Sequence, residues 1–124
     1  MIYEELSGNI LKAYFNVLKN LGTGYLESVY ENAMCIELDE LNIPYVRQKH
    51  LTVIYKGQNI GDFVADIVVD NKIILELKAV SKLTSAHSAQ LINYLTMTQH
   101  KVGLLLNFGE GSDYKRVYLK DKVL

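Results

Sequence analysis

The chain has 124 residues, a net charge of −1 from 13 basic and 14 acidic side chains, and 49% hydrophobic residues. This length fits one domain (residues 1–124) whose core needs neither disulfides nor a structural metal, and the composition excludes a disordered or proline-rich protein. The first residues lack the basic and apolar regions of a signal peptide, and no apolar run approaches the roughly 20 residues of a membrane helix. We therefore expect a cytoplasmic protein.

Two helices are predicted at the start of the chain. Apolar residues recur at helical spacing from Tyr3 to Leu21, and the run Gly22-Thr23-Gly24 interrupts the pattern before a second helix begins. Asn42 and Pro44 end the second helix, because proline disfavours the helical conformation of the residue before it.

The rest of the chain alternates between strand-like and helical patterns. Further predicted elements are strands at 45–55, 60–69 and 73–80, a helix from caps at 81–84 to about residue 99, a buried strand at 102–106 and a closing strand at 114–119. The order α-α-β-β-β-α-β-β predicts an α/β fold in which helices flank a mixed β-sheet.

Three ionisable residues interrupt strands that otherwise appear buried. Glu76 and Lys78 share one face of their strand, because side chains alternate along a strand. A two-residue turn at Asp70-Asn71 would pair Asp66 with Leu75 and place the two carboxylates on opposite faces. A three-residue loop at 70–72 pairs Asp66 with Glu76 on the same face, at a Cβ separation of about 5 Å. We predict the three-residue loop.

Two carboxylates at this separation repel each other unless a proton or a cation lies between them, and we predict a divalent cation. Mg²⁺ takes oxygen ligands and is usually held by one or two carboxylates. Asp66, Glu76 and the main-chain carbonyl of Leu77 are the candidate ligands. Lys78 would orient or deprotonate an attacking water, or stabilise the charge of the transition state. The alternative is a solvated strand face with a surface Glu–Lys pair.

Other segments of the chain add a family resemblance. The segment Gly24-Tyr25-Leu26-Glu27-Ser28-Val29-Tyr30 resembles the signature of the GxxExxY family, which is placed in the PD-(D/E)XK, restriction-endonuclease-like superfamily. Asp66 with Glu76-Leu77-Lys78 resembles the acidic core of that superfamily. The segments 87–95 and 103–109 resemble the helix and the strand that follow it. The resemblance covers residues 22–109, and it departs at Val64-Ala65-Asp66, where the superfamily pattern has a proline before the aspartate.

This resemblance implies a restriction-endonuclease-like fold and a metal-dependent nuclease that uses Mg²⁺ or Mn²⁺. It implies that Glu27 reaches the metal directly or through water, and that Gln90 lies beside the acidic cluster and contacts substrate or a lysine. Two residues are weaker candidates for substrate contacts. His87 is either a phosphate ligand or a satisfied polar residue at a helix start, and the buried hydroxyl of Tyr30 needs a partner that one of the carboxylates could provide.

The expected partner is nucleic acid, DNA rather than RNA, and a homodimer acting on two strands is a further candidate. Residues 1–41 carry seven acids and two lysines, whereas the remainder carries seven acids and eleven bases. Candidate phosphate contacts are the basic groups Arg47, Lys49, His50 and Lys56, and Lys115, Arg116, Lys120 and Lys122. The rival functions are a non-catalytic module that binds nucleic acid or protein, and an oligomerisation protein without a metal.

Overall fold

The computed structural model describes residues 2–119. Its elements, in chain order, are α1 (Glu4–Leu21), α2 (Glu27–Glu40), β1 (Tyr45–Tyr55), β2 (Gln58–Val69), β3 (Ile73–Lys78), α3 (Ser85–Thr98), β4 (Val102–Asn107) and β5 (Tyr114–Tyr118). The strands form one sheet in the order β1-β2-β3-β4-β5. Only the β3–β4 pair is parallel within this part of the chain, so the sheet is mixed. The predicted fold class and element order are confirmed.

Helices cover both faces of the sheet. The apolar stripe of α1 (Ile10, Ala13, Tyr14 and Val17) packs with α2 and with Ile73, Leu75 and Leu77 of β3. On the other face, Leu91, Tyr94 and Leu95 of α3 pack on Ile74 and Leu105. The central strands β3 and β4 are therefore buried on both sides, as their almost continuous apolar sequences require.

A three-residue loop joins β2 to β3 and sets their register. Val69 pairs with Ile73, so residues 70–72 form the loop, as predicted. Asp70 and Asn71 both have a φ of 51°, a left-handed conformation that these two residue types adopt more readily than most. The N–H of Lys72 donates a hydrogen bond to the Val69 carbonyl and closes the turn (2.9 Å).

β3 ends at Lys78, two residues before the predicted end at Val80. Beyond Lys78, hydrogen bonds to the side chain of Asn107 replace the main-chain pairing of the strand. The buried amide of Asn107 accepts hydrogen bonds from the N–H groups of Val80 and Gly109 (both 3.0 Å) and donates one to the Val80 carbonyl (2.9 Å). Gly109 lies so close to this segment that an added Cβ would stand 2.0 Å from the Val80 oxygen.

None of the helices within residues 2–119 combines the length and the apolar composition that a membrane crossing needs.

Replacing Asn107 with alanine should destabilise the protein by about 2 kcal/mol, because it leaves three half-buried main-chain groups of Val80 and Gly109 without their partner. Urea denaturation measures the change. Asn20→Ala is the matched control: its side chain is exposed on α1, so its effect should stay within about 0.5 kcal/mol. Equal effects of the two substitutions would contradict the role of the Asn107 amide.

Candidate active site

β2 and β3 stop pairing beyond the Ile67–Leu75 pair, and two carboxylates lie where the strands separate. The three-residue loop is as predicted, and its register, continued by one residue, sets Asp66 opposite Glu76, although the strand ladder itself ends at the Ile67–Leu75 pair. Oε1 of Glu76 accepts a hydrogen bond from the N–H of Asp66 (3.1 Å), and Oδ2 of Asp66 accepts one from the N–H of Leu77 (2.8 Å). Each carboxylate thus accepts the hydrogen bond that a main-chain carbonyl of the opposite strand would otherwise accept. These hydrogen bonds hold both carboxylates at the point where β2 and β3 separate.

The environment raises the pKa of both carboxyl groups. Glu76 is only 5% exposed, and burial together with the negative charge of Asp66 raises its pKa to about 8. Burial also raises the pKa of Asp66, against the opposing effect of the Leu77 N–H. These facing groups therefore hold a proton near neutral pH unless a cation neutralises them.

Lys78 supplies a positive charge beside the pair. It is half-buried at the end of β3, and its charge lowers the pKa of both Asp66 and Glu76. Asp66, Glu76 and Lys78 are therefore brought together in the structure. This is the grouping that the alternation along the two strands indicates.

Glu27 approaches the same end of β3 from α2. It is the first residue of that helix, and its Oε2 accepts a hydrogen bond from the N–H of Ala79 (3.3 Å), the residue after Lys78. Its negative charge raises the pKa of Asp66. The structure thus places Glu27 at the edge of the acidic pair, although 52 residues separate it from Ala79 in the sequence.

Glu31 is a further acidic residue that the sequence analysis did not select. It is buried one helical turn after Glu27, and its charge also raises the pKa of Asp66. Arg47 donates to its Oε2 from Nε (3.1 Å) and Nη2 (2.8 Å), and Gln48 donates to its other oxygen. The i, i+4 spacing from Glu27 was the available signal, because it places both carboxylates on one helix face.

The backbone at Gln48 is unusual for the interior of a strand. Its φ is 47°, between the paired positions Arg47–Ile67 and Lys49–Ala65. β1 is therefore distorted beside the position at which β2 leaves β3. Gln48 reaches Glu31 from this distorted position.

Gln90 and His87 lie on α3, on the opposite face of the sheet from α1 and α2. The exposed side chain of Gln90 donates a hydrogen bond to the hydroxyl of Tyr94 (3.0 Å). Burial raises the pKa of Tyr94, and the charge of Glu76 raises it further. Gln90 is thus linked to the acidic pair through Tyr94. His87 Nδ1 accepts a hydrogen bond from the N–H of Thr84 (3.0 Å) at the start of α3. Nε2 is therefore the ring nitrogen of His87 that a substrate could contact.

Tyr30 lies in the core rather than at the site. It is 0% exposed and its ring stacks on Phe108 (centroids 4.5 Å apart). The Tyr30 hydroxyl donates a hydrogen bond to the carbonyl of Gly22 (2.7 Å). The prediction that a carboxylate is the partner of this hydroxyl is therefore wrong. The burial leaves no surface of Tyr30 for a substrate to contact.

The acidic residues fit a hard cation only in part as they stand. No group of three or more His, Cys, Asp or Glu side chains within residues 2–119 has the geometry to hold a metal. Two carboxylates are nevertheless enough for Mg²⁺ when water and substrate supply the other ligands. The described hydrogen bonds engage one oxygen each of Asp66 and Glu76. Two facing carboxylates are the ligand type that a hard cation prefers, so the chemistry of the pair suits the predicted ion, although these side chains alone do not form a complete site within residues 2–119.

The basic residues do not form one continuous group. Arg47 pairs with Glu31, and β1 lies at the opposite edge of the sheet from β5, which carries Lys115 and Arg116. Lys120 and Lys122 lie outside the described residues. A phosphate contact from either group remains a prediction.

The chain matches the model of a known family. The description of the matching family is the PD-(D/E)XK nuclease superfamily, and the match spans residues 4–117. No curated protein sequence matches the chain.

Several solved structures resemble this chain, and two of them are described here. The crystal structure of SSO0001 gives a TM-score of 0.59 at 15% identity, and the match covers 97% of this chain and 59% of that one. The crystal structure of an alkaline exonuclease (LHK-Exo) from Laribacter hongkongensis gives a TM-score of 0.56 at 9% identity, covering 98% of this chain and 73% of the exonuclease. At these identities the likeness concerns the fold. The chain spans about 59% of the length of SSO0001.

Glu76→Gln should stabilise the metal-free protein, and more so as the pH rises. The pKa of this carboxyl is about 8 in the folded chain against 4.5 ordinarily, so its burial costs stability progressively as the pH increases from 4.5 through 8. Glutamine keeps the acceptor for the Asp66 N–H but carries no charge. Thermal melts with a chelator should show little difference at pH 5 and a higher Tm of the variant at pH 8, by about 4 °C for each kcal/mol.

Glu110→Gln is the control for this prediction, because it makes the same chemical change in an exposed loop. Its melting temperature should follow that of the wild type across the pH range. A Glu76→Gln variant that is less stable than the wild type at pH 8 would contradict the cost assigned to the buried carboxylate.

Proposed function

The chain belongs to the PD-(D/E)XK nuclease superfamily, and from this premise we propose that it is a nuclease that hydrolyses phosphodiester bonds of nucleic acid with a divalent cation. The observation that carries the proposal is the meeting of Asp66, Glu76 and Lys78 where β2 and β3 separate. A surface Glu–Lys pair would not need a glutamate that is 5% exposed. Burial of this carboxylate is unfavourable for stability, and buried ionisable groups of this kind are typical of functional sites.

A Mg²⁺ or Mn²⁺ ion at Asp66 and Glu76 would polarise the scissile phosphate and lower the pKa of a bound water. The carbonyl of Leu77 is the proposed third protein ligand, and Glu27 contributes directly or through water. The hydrogen bonds to the main chain of Asp66 and Leu77 hold the carboxylates in place before the cation binds.

Lys78 has two proposed roles that share one location. Its ammonium group orients or deprotonates the attacking water, or it stabilises the negative charge that develops on the phosphate. Its position at the end of β3 supports both, because both need a cationic side chain on the side of the carboxylates. Gln90, held by the Tyr94 hydroxyl, is proposed to place the substrate from the α3 side.

Membership of the narrower GxxExxY family is also part of the proposal. Gly24 has a φ of 111°, which favours glycine over any other residue. Glu27 begins α2 and reaches Ala79, while Tyr30 anchors the helix in the core. Each named residue of the signature thus has a distinct task in this structure, which supports the assignment.

The proposed substrate is DNA, with RNA as the alternative polymer. The name of the exonuclease that shares the fold supports a nucleic-acid substrate, although the likeness itself concerns architecture. Linear, circular and single-stranded DNA and RNA, each incubated with Mg²⁺ or Mn²⁺, distinguish exonuclease from endonuclease activity, because only an endonuclease opens a closed circle.

Cleavage should require both members of the strand pair. Glu76→Gln and Lys78→Ala should each lower the rate about 100-fold or more, since each removes a charge that acts on the transition state. Gel-based cleavage assays on folded variants measure the effect. Lys82→Ala and Glu40→Gln are matched controls in exposed positions and should cleave at the wild-type rate.

Two outcomes of this assay would reject hydrolysis by this site. Equal activity of the Glu76→Gln variant and the wild type would identify a contaminating nuclease. Binding of nucleic acid without cleavage under any metal condition would instead identify the non-catalytic module.

Metal binding is tested independently of cleavage. Mn²⁺ or Mg²⁺ should raise the Tm of the wild type in proportion to its binding, and calorimetry should detect one site. Asp66→Asn should abolish most of the shift, while Asp62→Asn, an exposed change four residues earlier on β2, should preserve it. A shift of the same size in Asp66→Asn would place the metal elsewhere.

A further inference from the structure

A cleft beside the candidate active site has no assigned role. Its volume is about 310 Å³, at the lower end of the range for small-ligand pockets. Three loops line it: the α1–α2 loop with Thr23 and Tyr25, the β3–α3 loop with Ala79 and Ser81, and the β4–β5 loop with Glu110. Ala79 is the residue whose N–H donates to Glu27, so the cleft adjoins the acidic site.

Tyr25 forms a rigid aromatic wall of this cleft. Its side chain is 50% exposed, yet its ring contacts the buried Tyr30 edge to face, with centroids 6.0 Å apart. Tyr30 in turn stacks on Phe108, which packs against Tyr14. The N–H of Tyr25 also donates to the Tyr30 hydroxyl (3.3 Å). A half-exposed ring that is braced in this way loses little conformational entropy when a flat ligand stacks on it.

The negative charge among the residues that line the cleft favours an uncharged ligand over an anionic one. Glu110 is the one charged side chain among the described residues that line it, and it is acidic. A phosphate would therefore be repelled, whereas the adjoining site offers Lys78 and the proposed cation. A base or a sugar suits the cleft, and the hydroxyls of Thr23 and Ser81 supply polar contacts.

We infer that the cleft receives the base of an unpaired nucleotide next to the scissile phosphate, and that Tyr25 stacks on this base. This inference rests on the proposed nuclease function and specifies its substrate class. A base inside a duplex is stacked and paired, so it must leave the helix before it can enter a cleft. Single strands and unpaired ends meet this requirement without that cost.

Binding is measured in a Glu76→Gln background, so that cleavage does not interfere. The probe is a fluorescein-labelled single-stranded oligothymidylate, with a blunt-ended duplex as its comparison. Tyr25→Ala should weaken single-strand binding about 5- to 100-fold, whereas Tyr25→Phe keeps the affinity because it keeps the ring. Duplex binding should change less. Tyr25→Leu is a second variant that keeps an apolar contact with Tyr30 but removes the aromatic face.

Tyr118→Ala is the matched control, because Tyr118 is 41% exposed but pairs with Val102 at the far end of the sheet from Lys78. Its single-strand affinity should equal that of the parent. Three results would each overturn the inference: unchanged binding in Tyr25→Ala and Tyr25→Leu, an equal loss in Tyr25→Phe, or an equal loss for the duplex. A parent protein that binds neither probe would also overturn it.

The outcome is separable from that of the proposed hydrolysis. A wild type that does not cleave, but whose single-strand binding depends on the Tyr25 ring, rejects hydrolysis and supports the cleft assignment. A wild type that cleaves, with Tyr25→Ala binding as the parent does, rejects only the cleft assignment.

Discussion

The register between β2 and β3 is the constraint on which the candidate site depends. Asp70 and Asn71 adopt left-handed backbone conformations in the connecting loop, and this loop places Asp66 opposite Glu76. A slip of one residue would send one carboxylate to the other face of the sheet. A short polar loop with little chemistry of its own therefore determines whether the acidic pair exists.

The same two carboxylates serve the fold and the site. Each accepts a main-chain hydrogen bond where the ladder between β2 and β3 ends, so each replaces a lost strand contact. Their burial beside each other nevertheless opposes ionisation, and the pKa of Glu76 rises to about 8 as a result. Stability and chemistry compete at these positions, which is the usual relation between a strained site and a stable scaffold.

Features that follow from a regular spacing of residues could be predicted from the sequence. Hydrogen bonds between side chains and distant main-chain groups could not. Alternation along β3 indicated that Glu76 and Lys78 share a face, and the loop length indicated Asp66 as their partner. The Gly22 carbonyl as the partner of Tyr30 depends on how the α1–α2 loop folds back, which no spacing reveals. The early end of β3 depends on Asn107, 27 residues away from Val80. Glu31 was visible as the i+4 neighbour of Glu27, but its burial and its pairing with Arg47 depend on β1.

The separation of β2 from β3 also has a mechanical consequence. Within residues 2–119, only three residue pairs join the β1–β2 hairpin to the rest of the sheet, and they pair residues 67–69 with residues 73–75. The longer outer part of the hairpin, which touches α3 through Leu51, is free of β3. A twist of that outer part would turn about the last joined pair, directly beside Asp66. The aspartate therefore lies near the pivot, where such motion displaces an atom least, while the tip at Lys56-Gly57 travels farthest.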